Sequence, residues 1–519
     1  MTTNTGGRSR SERAEAATPA GSSGLRWLAA AVLITGALMD LIDVTIVNVA
    51  LPTIRRHLGA SATQLEWVVS GYMLAFAAIL IVAGSLGDRF GRKRLFLLGA
   101  AVFGAASLAA GLSATAPELI GARVIQGTGA ALMAPQVLAT FRVIFSGRER
   151  GKAFALYGAM AGFATAIGLV LGGVLTDANL FGWSWRAVFF VNVPVALGTL
   201  AAAIRFVPAT RDPHAGRPDL PAAAVLAGGL VAIVYPLLEG RDLGWPAWTW
   251  PLMAVGVAAI TALAVREARG RPRRATFAAG TRPGAEPVAS AAPLLRAGLF
   301  RIPAFAGGLG VLVAFGAGMQ GFFLMVALWL QAGEHFSPLK AGLTALAFSA
   351  GSFALAPGAV PMALRFGRRV IVLGGVMMAA GTAAVMAAVS HVGVGGSPWP
   401  AVPGLAVGGA GLALLIIPLG NVVLTAVPAE AAGGASGLFS TAQQLGGSIG
   451  VAVLGTVFFG WVSSGHTFAA AMTRGAPYAI GAFALCAALS LLLPRTAVAD
   501  SVLIGDERAA QPDAVRAAG

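Results

Sequence analysis

Charged side chains are scarce in this sequence. Of its 519 residues, 11% are Asp, Glu, Lys or Arg and 57% are hydrophobic. Soluble globular domains carry roughly 25% charged residues. This deficit excludes an ordinary soluble domain and leaves an integral membrane protein as the class that fits the composition.

Cysteine and lysine are rare as well. Cys486 is the single cysteine, so no intrachain disulfide can form. Lysine occurs three times, so arginine supplies most of the positive charge behind the net charge of +15. In a soluble protein that excess would suggest nucleic acid as a partner, whereas a membrane protein collects Lys and Arg in its cytoplasmic loops. We therefore expect no nucleic-acid partner.

Sequence motifs for catalysis and cofactor binding are missing. No Walker A sequence is present, which excludes ATP as the direct energy source on this chain. The five histidines fall in loops or at the ends of apolar runs, without ligand-like clustering. No nucleophile–base pair is visible either. The sequence therefore predicts neither an enzyme nor a cofactor or metal site.

Long apolar runs make up most of the chain. A membrane-spanning helix needs about 20 mostly apolar residues. Such stretches lie at 27–50, 66–86, 95–114, 118–143, 152–175, 185–206, 220–238, 247–266, 303–330, 340–362, 369–391, 400–425, 434–461 and 475–494. They predict an all-α integral membrane protein with about fourteen transmembrane helices.

The distribution of basic residues indicates the orientation. With the N-terminus inside, 29 of the 36 Lys and Arg residues fall in cytoplasmic segments and 5 in outer ones. This asymmetry follows the positive-inside rule and predicts a multi-pass protein whose N- and C-termini are both cytoplasmic. The richness in Arg, Ala and Gly suggests a GC-rich bacterial genome, so we expect a bacterial cell membrane.

A short repeat divides the chain into two halves. Arg-Phe-Gly-Arg-Lys at 89–93 recurs as Arg-Phe-Gly-Arg-Arg at 365–369, each time in a short loop after an apolar run. Many secondary transporters consist of repeated halves with the substrate site between them. The predicted units are a cytoplasmic tail (1–26), an N-terminal six-helix bundle (27–206), two extra transmembrane helices (207–266), a cytoplasmic linker (267–302), a C-terminal six-helix bundle (303–494) and a cytoplasmic tail (495–519).

The first apolar run carries two carboxylates and an amide. Asp40 and Asp43 are three residues apart and so share one face of a helix, and Asn48 follows further round. An ionisable side chain inside a membrane is expensive and points to a functional role. We expect this face to line a polar cavity, where at least one of the two aspartates exchanges a proton during transport.

A glycine-rich loop segment follows the second apolar run. Its residues Gly87 and Gly91 permit a tight turn, and Asp88 can pair with a neighbouring arginine or a helix N-terminus. Such a cluster can act as a latch that breaks when the two halves rock; the alternative is a simple positive-inside anchor. The predicted gating residues are Gly84, Gly87, Asp88, Arg89, Gly91, Arg92 and Lys93.

This loop segment resembles the loop 2–3 signature of the major facilitator superfamily. The stretch from Asp43 to Pro52 is similar to the first-helix signature of its fourteen-span drug:proton antiporter branch, and Arg123-Val-Ile-Gln-Gly-Thr-Gly-Ala-Ala131 resembles the fourth-helix motif. Further segments that look like those of the branch lie at 185–194, 337–343 and 437–447. The resemblance implies a major facilitator fold of two six-helix bundles plus two extra central helices.

The resemblance also implies a function. Members of this branch export drug-like or antibiotic molecules in exchange for protons by alternating access, and the arginine of their fourth-helix motif is implicated in proton transfer. Since the resemblance places helices one and four side by side, we expect Arg123 to pair with Asp43 or Asp40 when that aspartate is deprotonated. A permanent structural ion pair is the alternative.

Uncharged polar residues within the predicted spans are candidates for the substrate cavity. These are Asn48, Gln126, Gln320, Asn421 and Gln443. One departure weakens the expectation of antiport, because Leu169 stands where the fifth-helix motif of the branch usually has proline. Glu66 begins the second apolar run near the outer surface, where we expect an interfacial position, and a functional role is the alternative.

Two other readings of the sequence stay open. A protein of the same fold could export or import one endogenous metabolite, or it could be a non-transporting membrane receptor or scaffold. The expected partners are a small amphipathic substrate, protons and the lipid bilayer, and we expect the chain to act as a monomer.

Overall fold

The computed structural model describes residues 23–145, 147–211, 220–240, 242–269, 299, 302–392, 397, 399–427 and 432–494. Every regular element within these ranges is a helix. Most of the predicted tails and of the predicted linker lies outside the described residues, so those three predictions stay untested.

Long helices follow one another from the first described residue onward. They are α1 (Ser23–Leu58), α2 (Ala62–Phe90), α3 (Arg92–Leu112), α4 (Ala116–Ile144), α5 (Gly147–Asp177), α6 (Asn192–Phe206), α7 (Leu220–Glu239), α8 (Thr249–Arg269), α9 (Pro303–Leu328), α10 (Pro338–Phe366), α11 (Arg369–Val392), α12 (Val402–Thr425), α13 (Ala432–Ser463) and α14 (Phe468–Ser490). Short helical turns lie at Leu180–Gly182, Ser184–Arg186, Ala187–Phe190 and Trp399–Ala401, and a π-helical turn lies at Trp329–Gly333.

Eleven of the described helical segments are long and apolar enough to cross a membrane. Three of the long helices are not among them, namely α5, α8 and α14. The described apolar stretches of α5 and α8 are shorter, at Ala166–Asp177 and Thr249–Leu263. Each predicted apolar stretch coincides with one of the long helices, which confirms an all-helical membrane protein, whereas the count of fourteen crossings stays a prediction.

Polar caps make several helices longer than their apolar runs. Helix α2 begins at Ala62 because the Ser61 hydroxyl accepts a hydrogen bond from the Gln64 amide, while the Gln64 side chain accepts one from Ser61 N. This is a capping box, and its polar members lie outside the stretch that a hydropathy rule detects. Thr115 and Ser337 cap α4 and α10 with their hydroxyl groups, which accept hydrogen bonds from the backbone amides of Glu118 and Lys340.

The two halves of the chain repeat the same helix packing. In the first half, α4 packs on α2 and α3, α3 packs on α6, and α1 packs on α5. In the second half, α12 packs on α10 and α11, α11 packs on α14, and α9 packs on α13. Each second-half helix lies eight helices after its counterpart, so the packing follows the internal repeat seen in the loop sequences.

The halves meet mainly through two helix pairs, α2 with α13 and α5 with α10, with smaller contacts of α1 on α9 and α10 and of α4 on α13. We call the end of the bundle at which α1 ends and α2 begins the α1–α2 end, and the opposite end the α2–α3 end. Near the α1–α2 end, a Cβ atom added to Gly342 of α10 would lie 2.3 Å from the Leu169 carbonyl oxygen of α5. Only glycine permits this approach of the two backbones.

The extra helix pair, α7 with α8, lies against this junction. Helix α7 packs on both α2 and α13, which belong to different halves. Trp67 of α2 donates a hydrogen bond to Glu239 of α7 (2.8 Å), and Thr456 of α13 donates one to the Leu237 carbonyl (3.3 Å). Helix α7 therefore connects the two halves at the α1–α2 end.

Glu66 does not lie at the surface as expected from the sequence. Its side chain is fully buried in α2, where a Cβ added to Gly455 of α13 would lie 2.6 Å from its carboxylate oxygen. The expectation of a surface position was wrong because α13 and α7 cover the start of α2, and a hydropathy pattern does not report which helices pack there.

Candidate functional site

The predicted gating loop forms a turn between α2 and α3. Gly91 has a φ of +103°, in the left-handed region that favours glycine, whereas Gly87 lies inside α2 and does not form the turn. Arg92 donates to Asp88 from two nitrogens, at 2.7 and 3.0 Å. Lys93 donates to the Ile204 carbonyl at the end of α6 (2.7 Å). In this conformation Asp88 is thus paired within its own loop.

The second copy of the loop makes an equivalent contact in its own half. Gly367 has a φ of +60°, and Arg368 donates to the carbonyls of Leu491 and Leu493 just after α14, each at 2.6 Å. Both loops therefore hold the end of the sixth helix of their half. A gating role for the first loop is not decided by these contacts and stays a prediction.

The two glycines inside α2 have different surroundings. A Cβ atom at Gly87 would lie 1.9 Å from the side-chain oxygen of Gln136 on α4, whereas nothing lies within 4 Å of a Cβ at Gly84. Gln136 donates to the Ala83 carbonyl (2.9 Å) and is buried. Gly87 is therefore a packing position, and Gly84 faces open space.

This difference gives a matched pair of substitutions. We expect Gly87→Ala to displace Gln136, to break its buried hydrogen bond and to lower the free energy of unfolding by about 1–3 kcal/mol. Gly84→Ala should instead be neutral or stabilising by up to about 1 kcal/mol, since alanine favours a helix interior. Thermal unfolding of the two purified variants in detergent measures the difference, and equal unfolding temperatures would contradict it.

Asp43 and Arg123 form an ion pair inside the first half. Arg123 Nη1 lies 2.5 Å from Asp43 Oδ2. The side chains are 0% and 2% exposed, so the pair is sealed from solvent. The sequence predicted that Arg123 would meet Asp43 or Asp40, and the structure places it on Asp43.

Amide side chains complete the hydrogen bonding of Asp43. Gln126 of α4 donates to Asp43 Oδ1 (2.9 Å), and Asn192 of α6 donates to the same oxygen (2.8 Å). Both amides also approach the Ser107 hydroxyl of α3, at 3.3 and 3.2 Å. A buried carboxylate is tolerated only when it is paired and hydrogen-bonded, and this network supplies those partners for Asp43 at its fully buried position.

Arg123 has further contacts on α2. Its Nε donates to the Val68 carbonyl (3.1 Å), and its guanidinium carbon lies 4.1 Å from the centre of the Tyr72 ring. A Cβ added to Gly127 of α4 would lie 2.3 Å from the Tyr72 carbonyl oxygen. Gly127 therefore permits the close packing of α4 on α2 that brings Tyr72 against Arg123.

Asp40 lies one helical turn from Asp43 and has a different partner. The Tyr72 hydroxyl donates a hydrogen bond to Asp40 Oδ1. Asp40 is 8% exposed, whereas Asp43 is 0% exposed. The two carboxylates therefore occupy unequal positions, one sealed in an ion pair and one bound to a tyrosine.

The residues predicted for the substrate cavity are not gathered in one place. Gln126 belongs to the Asp43 network. Asn48 lines a small cavity between α1, α5, α9 and α10, together with Leu169 and Gln331. Gln320 of α9 approaches the Met73 sulfur of α2 (3.7 Å). The other two, Asn421 on α12 and Gln443 on α13, are half-buried.

Sequence reasoning missed three members of the network, Tyr72, Ser107 and Asn192. Asn192 lies in the segment 185–194 that resembles the antiporter branch, so an amide inside an apolar run could have been a signal. Ser107 carries no such signal, because a serine hydroxyl inside a helix commonly bonds to its own backbone. A single tyrosine in an apolar run, such as Tyr72, does not by itself indicate a site either.

The comparison with known families decides the identity of the fold. The sequence model of the protein family described as Major Facilitator Superfamily matches residues 33–451 of this chain. The chain belongs to the major facilitator superfamily. Solved structures agree at the level of the fold: the TM-score is 0.65 with a peptide transporter POT in complex with sulfate (16% identity; 91% of this chain and 95% of that one) and 0.60 with a D-xylose-proton symporter (15% identity; 91% and 98%).

Several similar proteins within the superfamily come from Streptomyces and Mycolicibacterium species. The chain is 37% identical to a probable actinorhodin transporter of Streptomyces coelicolor, over 85% of this chain and 74% of that one. It is 32% identical to a puromycin resistance protein of Streptomyces alboniger (94% and 95%) and 31% identical to a multidrug efflux pump of Mycolicibacterium smegmatis (95% and 93%). The chain is thus a multi-pass membrane transporter similar to bacterial drug and antibiotic resistance exporters.

Proposed function

We propose that this transporter exports drug-like or antibiotic small molecules across the bacterial cell membrane in exchange for protons. The observation that carries the proposal is the buried Asp43–Arg123 pair. A proton on Asp43 would remove the charge that balances Arg123, and a buried arginine without a counter-charge is strongly unfavourable. Protonation would therefore force α1 and α4 to rearrange, which links proton binding to a conformational change.

Contacts between the halves support alternating access. Gln331, in the π-helical turn after α9, donates to the Val49 carbonyl of α1 (2.7 Å). Close packing of Gly342 on Leu169 lies at the same α1–α2 end. We assign the α1–α2 end to the outside from the charge distribution, so this conformation would be closed outward.

The walls between the halves suit an amphipathic substrate. The cavity at Asn48 measures about 20 Å³, roughly what one water molecule needs, so a substrate site there would form only when the halves move apart. Phe323 and Leu169 give it apolar walls, and Gln331 adds an amide whose oxygen makes no hydrogen bond. With Asp40 and Asp43 one or two turns away, neutral or cationic molecules would be favoured.

The arrangement of units belongs to the same proposal. Two six-helix bundles (27–206 and 303–494) would rock about the junction, with the extra pair (207–266) connecting them. Both termini would be cytoplasmic. A monomer would suffice, because one chain contains the ion pair and both halves.

Efflux of a fluorescent lipophilic cation such as ethidium from cells tests the function. We expect cells that express the transporter to export ethidium several-fold faster than cells with an empty vector. A protonophore should abolish the difference because it removes the driving force. Export that persists with the protonophore would contradict proton coupling, and import would contradict the direction.

An exporter of one endogenous compound is the second candidate function. It is favoured by relatives whose names refer to single compounds, such as a probable actinorhodin transporter and a tetracenomycin C resistance and export protein of Streptomyces glaucescens. A panel of chemically unrelated antibiotics separates the two. Resistance to several of them supports a multidrug exporter, and resistance to a single chemical class supports the narrower function.

A further inference from the structure

Tyr72 contacts both charged groups of the site at once. Its hydroxyl donates to Asp40 Oδ1, and the face of its ring lies against the Arg123 guanidinium at 4.1 Å. The side chain is fully buried on α2. Cation–π contacts of a desolvated arginine with an aromatic ring are worth about 2 kcal/mol. No other described side chain links Asp40 with Arg123 by such contacts.

The two carboxylates differ in how they can exchange a proton. Asp43 accepts three hydrogen bonds, from Arg123, Gln126 and Asn192, and is sealed. Among the described residues, Tyr72 is the one side chain that donates to Asp40, and Asp40 keeps some exposure. Protonation of Asp40 therefore breaks no ion pair, whereas protonation of Asp43 breaks its pair with Arg123.

We propose that Tyr72 is a positioning residue that couples Asp40 to the Asp43–Arg123 pair. This inference rests on the proposed proton-coupled export and names a residue that acts in it. The hydroxyl group donates to Asp40 and fixes its position beside the pair, and the ring guides the guanidinium. A proton that binds Asp43 forms an O–H bond there and removes the charge that balances Arg123. The guanidinium stays protonated and can then move across the face of the Tyr72 ring toward Asp40.

Few charged or titratable groups face Asp40 and Tyr72 in the described part of the chain. Asp43 acts on them from α1, Arg123 from α4, and Tyr157 of α5 interacts electrostatically with Asp40. A change of charge on Asp40 therefore acts mainly on the Asp43–Arg123 pair. The link through Tyr72 should appear in the pH dependence of the transporter.

The test compares Tyr72→Phe with Tyr478→Phe, which removes the same hydroxyl from an exposed position on α14. Ethidium binding to the purified transporter is measured across pH, alongside ethidium transport in proteoliposomes. A hydrogen bond to a charged group is strong enough to change an equilibrium by roughly tenfold or more. We expect Tyr72→Phe to shift the midpoint of the binding profile by about one pH unit to higher pH, because ionised Asp40 loses its donor, while Tyr478→Phe matches the wild type.

The same substitution in a transporter that carries Asp40→Asn shows whether Tyr72 acts through Asp40. If Tyr72 acts through Asp40, Tyr72→Phe should cause no further shift in a transporter that already carries Asp40→Asn. An equal shift in both backgrounds, or no shift in either, would overturn the proposal. Tyr72→Trp, which keeps an aromatic ring and offers an N–H donor that does not titrate, should lie closer to the wild-type midpoint than Tyr72→Phe. If Tyr72→Phe fails to fold, Tyr72→Leu, which also lacks the donor, takes its place and should show the same shift.

Binding keeps this inference separate from the proposed function. If the wild type shows no proton-driven transport, but Tyr72→Phe still shifts the pH midpoint of ethidium binding, the exchange mechanism is contradicted and the role of Tyr72 is supported. If the wild type shows proton-driven transport, but Tyr72→Phe leaves the pH midpoint of ethidium binding unchanged, the role of Tyr72 is contradicted and the exchange mechanism is supported.

Discussion

Asp43→Asn is expected to abolish proton-driven export, with a loss of at least tenfold in the rate of ethidium accumulation by inside-out vesicles. The substitution keeps the size of the side chain and removes its titratable group. It also leaves Arg123 buried without a counter-charge, which costs about 3–5 kcal/mol in stability. Accumulation driven by an imposed pH gradient measures the loss.

Two controls separate loss of coupling from loss of fold. Asp177→Asn makes the same change at an exposed position at the end of α5 and should leave transport unchanged. Adding Arg123→Gln to Asp43→Asn removes the unbalanced charge, so we expect the unfolding temperature to recover while proton-driven accumulation stays absent. Recovery of accumulation in that double variant would mean that Asp43 serves the fold alone.

Gly342→Val is expected to hold the transporter away from the conformation described here. Any side chain at this position would meet the backbone of Leu169, 2.3 Å away, and backbone atoms cannot move aside as a side chain can. Because α10 and α5 belong to different halves, the clash is removed with the least loss of free energy when the halves separate at the α1–α2 end. We expect transport to fall at least tenfold while the protein stays folded.

Cysteine labelling reports the separation. Cys486 is buried, so Cys486→Ser with Ala341→Cys gives one probe at the α1–α2 end, where Ala341 is buried beside the Asn48 cavity. A membrane-impermeant maleimide added outside should label this cysteine several-fold faster in the Gly342→Val variant. Unchanged labelling together with full transport would contradict the assignment of this contact as an outer gate.

Two other glycines of the second half provide matched controls for the Gly342→Val substitution. Gly358→Val lies on the same helix α10 but has only the Met362 sulfur nearby, at 3.9 Å, so transport and labelling should match the wild type. Gly409→Val instead wedges α12 against the Phe348 carbonyl, 1.7 Å away, within one half. There the two helices have no rocking motion to relieve the clash, and we expect loss of folded protein.

The sequence predicted those parts of the site that the membrane makes unfavourable. Asp43 stood out because a charge inside an apolar helix needs a partner, Arg123 stood out through the resemblance of its segment to the fourth-helix motif, and the structure joins the two. Asn192 and Tyr72 did not stand out, because neutral polar groups cost less in a helix and their usefulness depends on which helix faces them. That information lies in the packing of α2, α4 and α6 around α1.

The positions of the helices could be predicted from the sequence, whereas the packing of some of them could not. Runs of about 20 apolar residues identified where the helices lie, and the loop repeat identified the two halves. The place of α7 was not predictable, because an apolar helix can face lipid or protein equally well. Its position over the junction, and the burial of Glu66 beneath it, follow from tertiary packing that no local pattern encodes.

Proton release on substrate binding tests the central claim most directly. Purified transporter in weakly buffered detergent is mixed with ethidium, and a pH-sensitive dye reports the protons set free. We expect the wild type to release protons as ethidium binds, and Asp43→Asn to bind ethidium with no release. Equal release by both proteins, or binding by the wild type without any release, would contradict exchange through the Asp43–Arg123 pair.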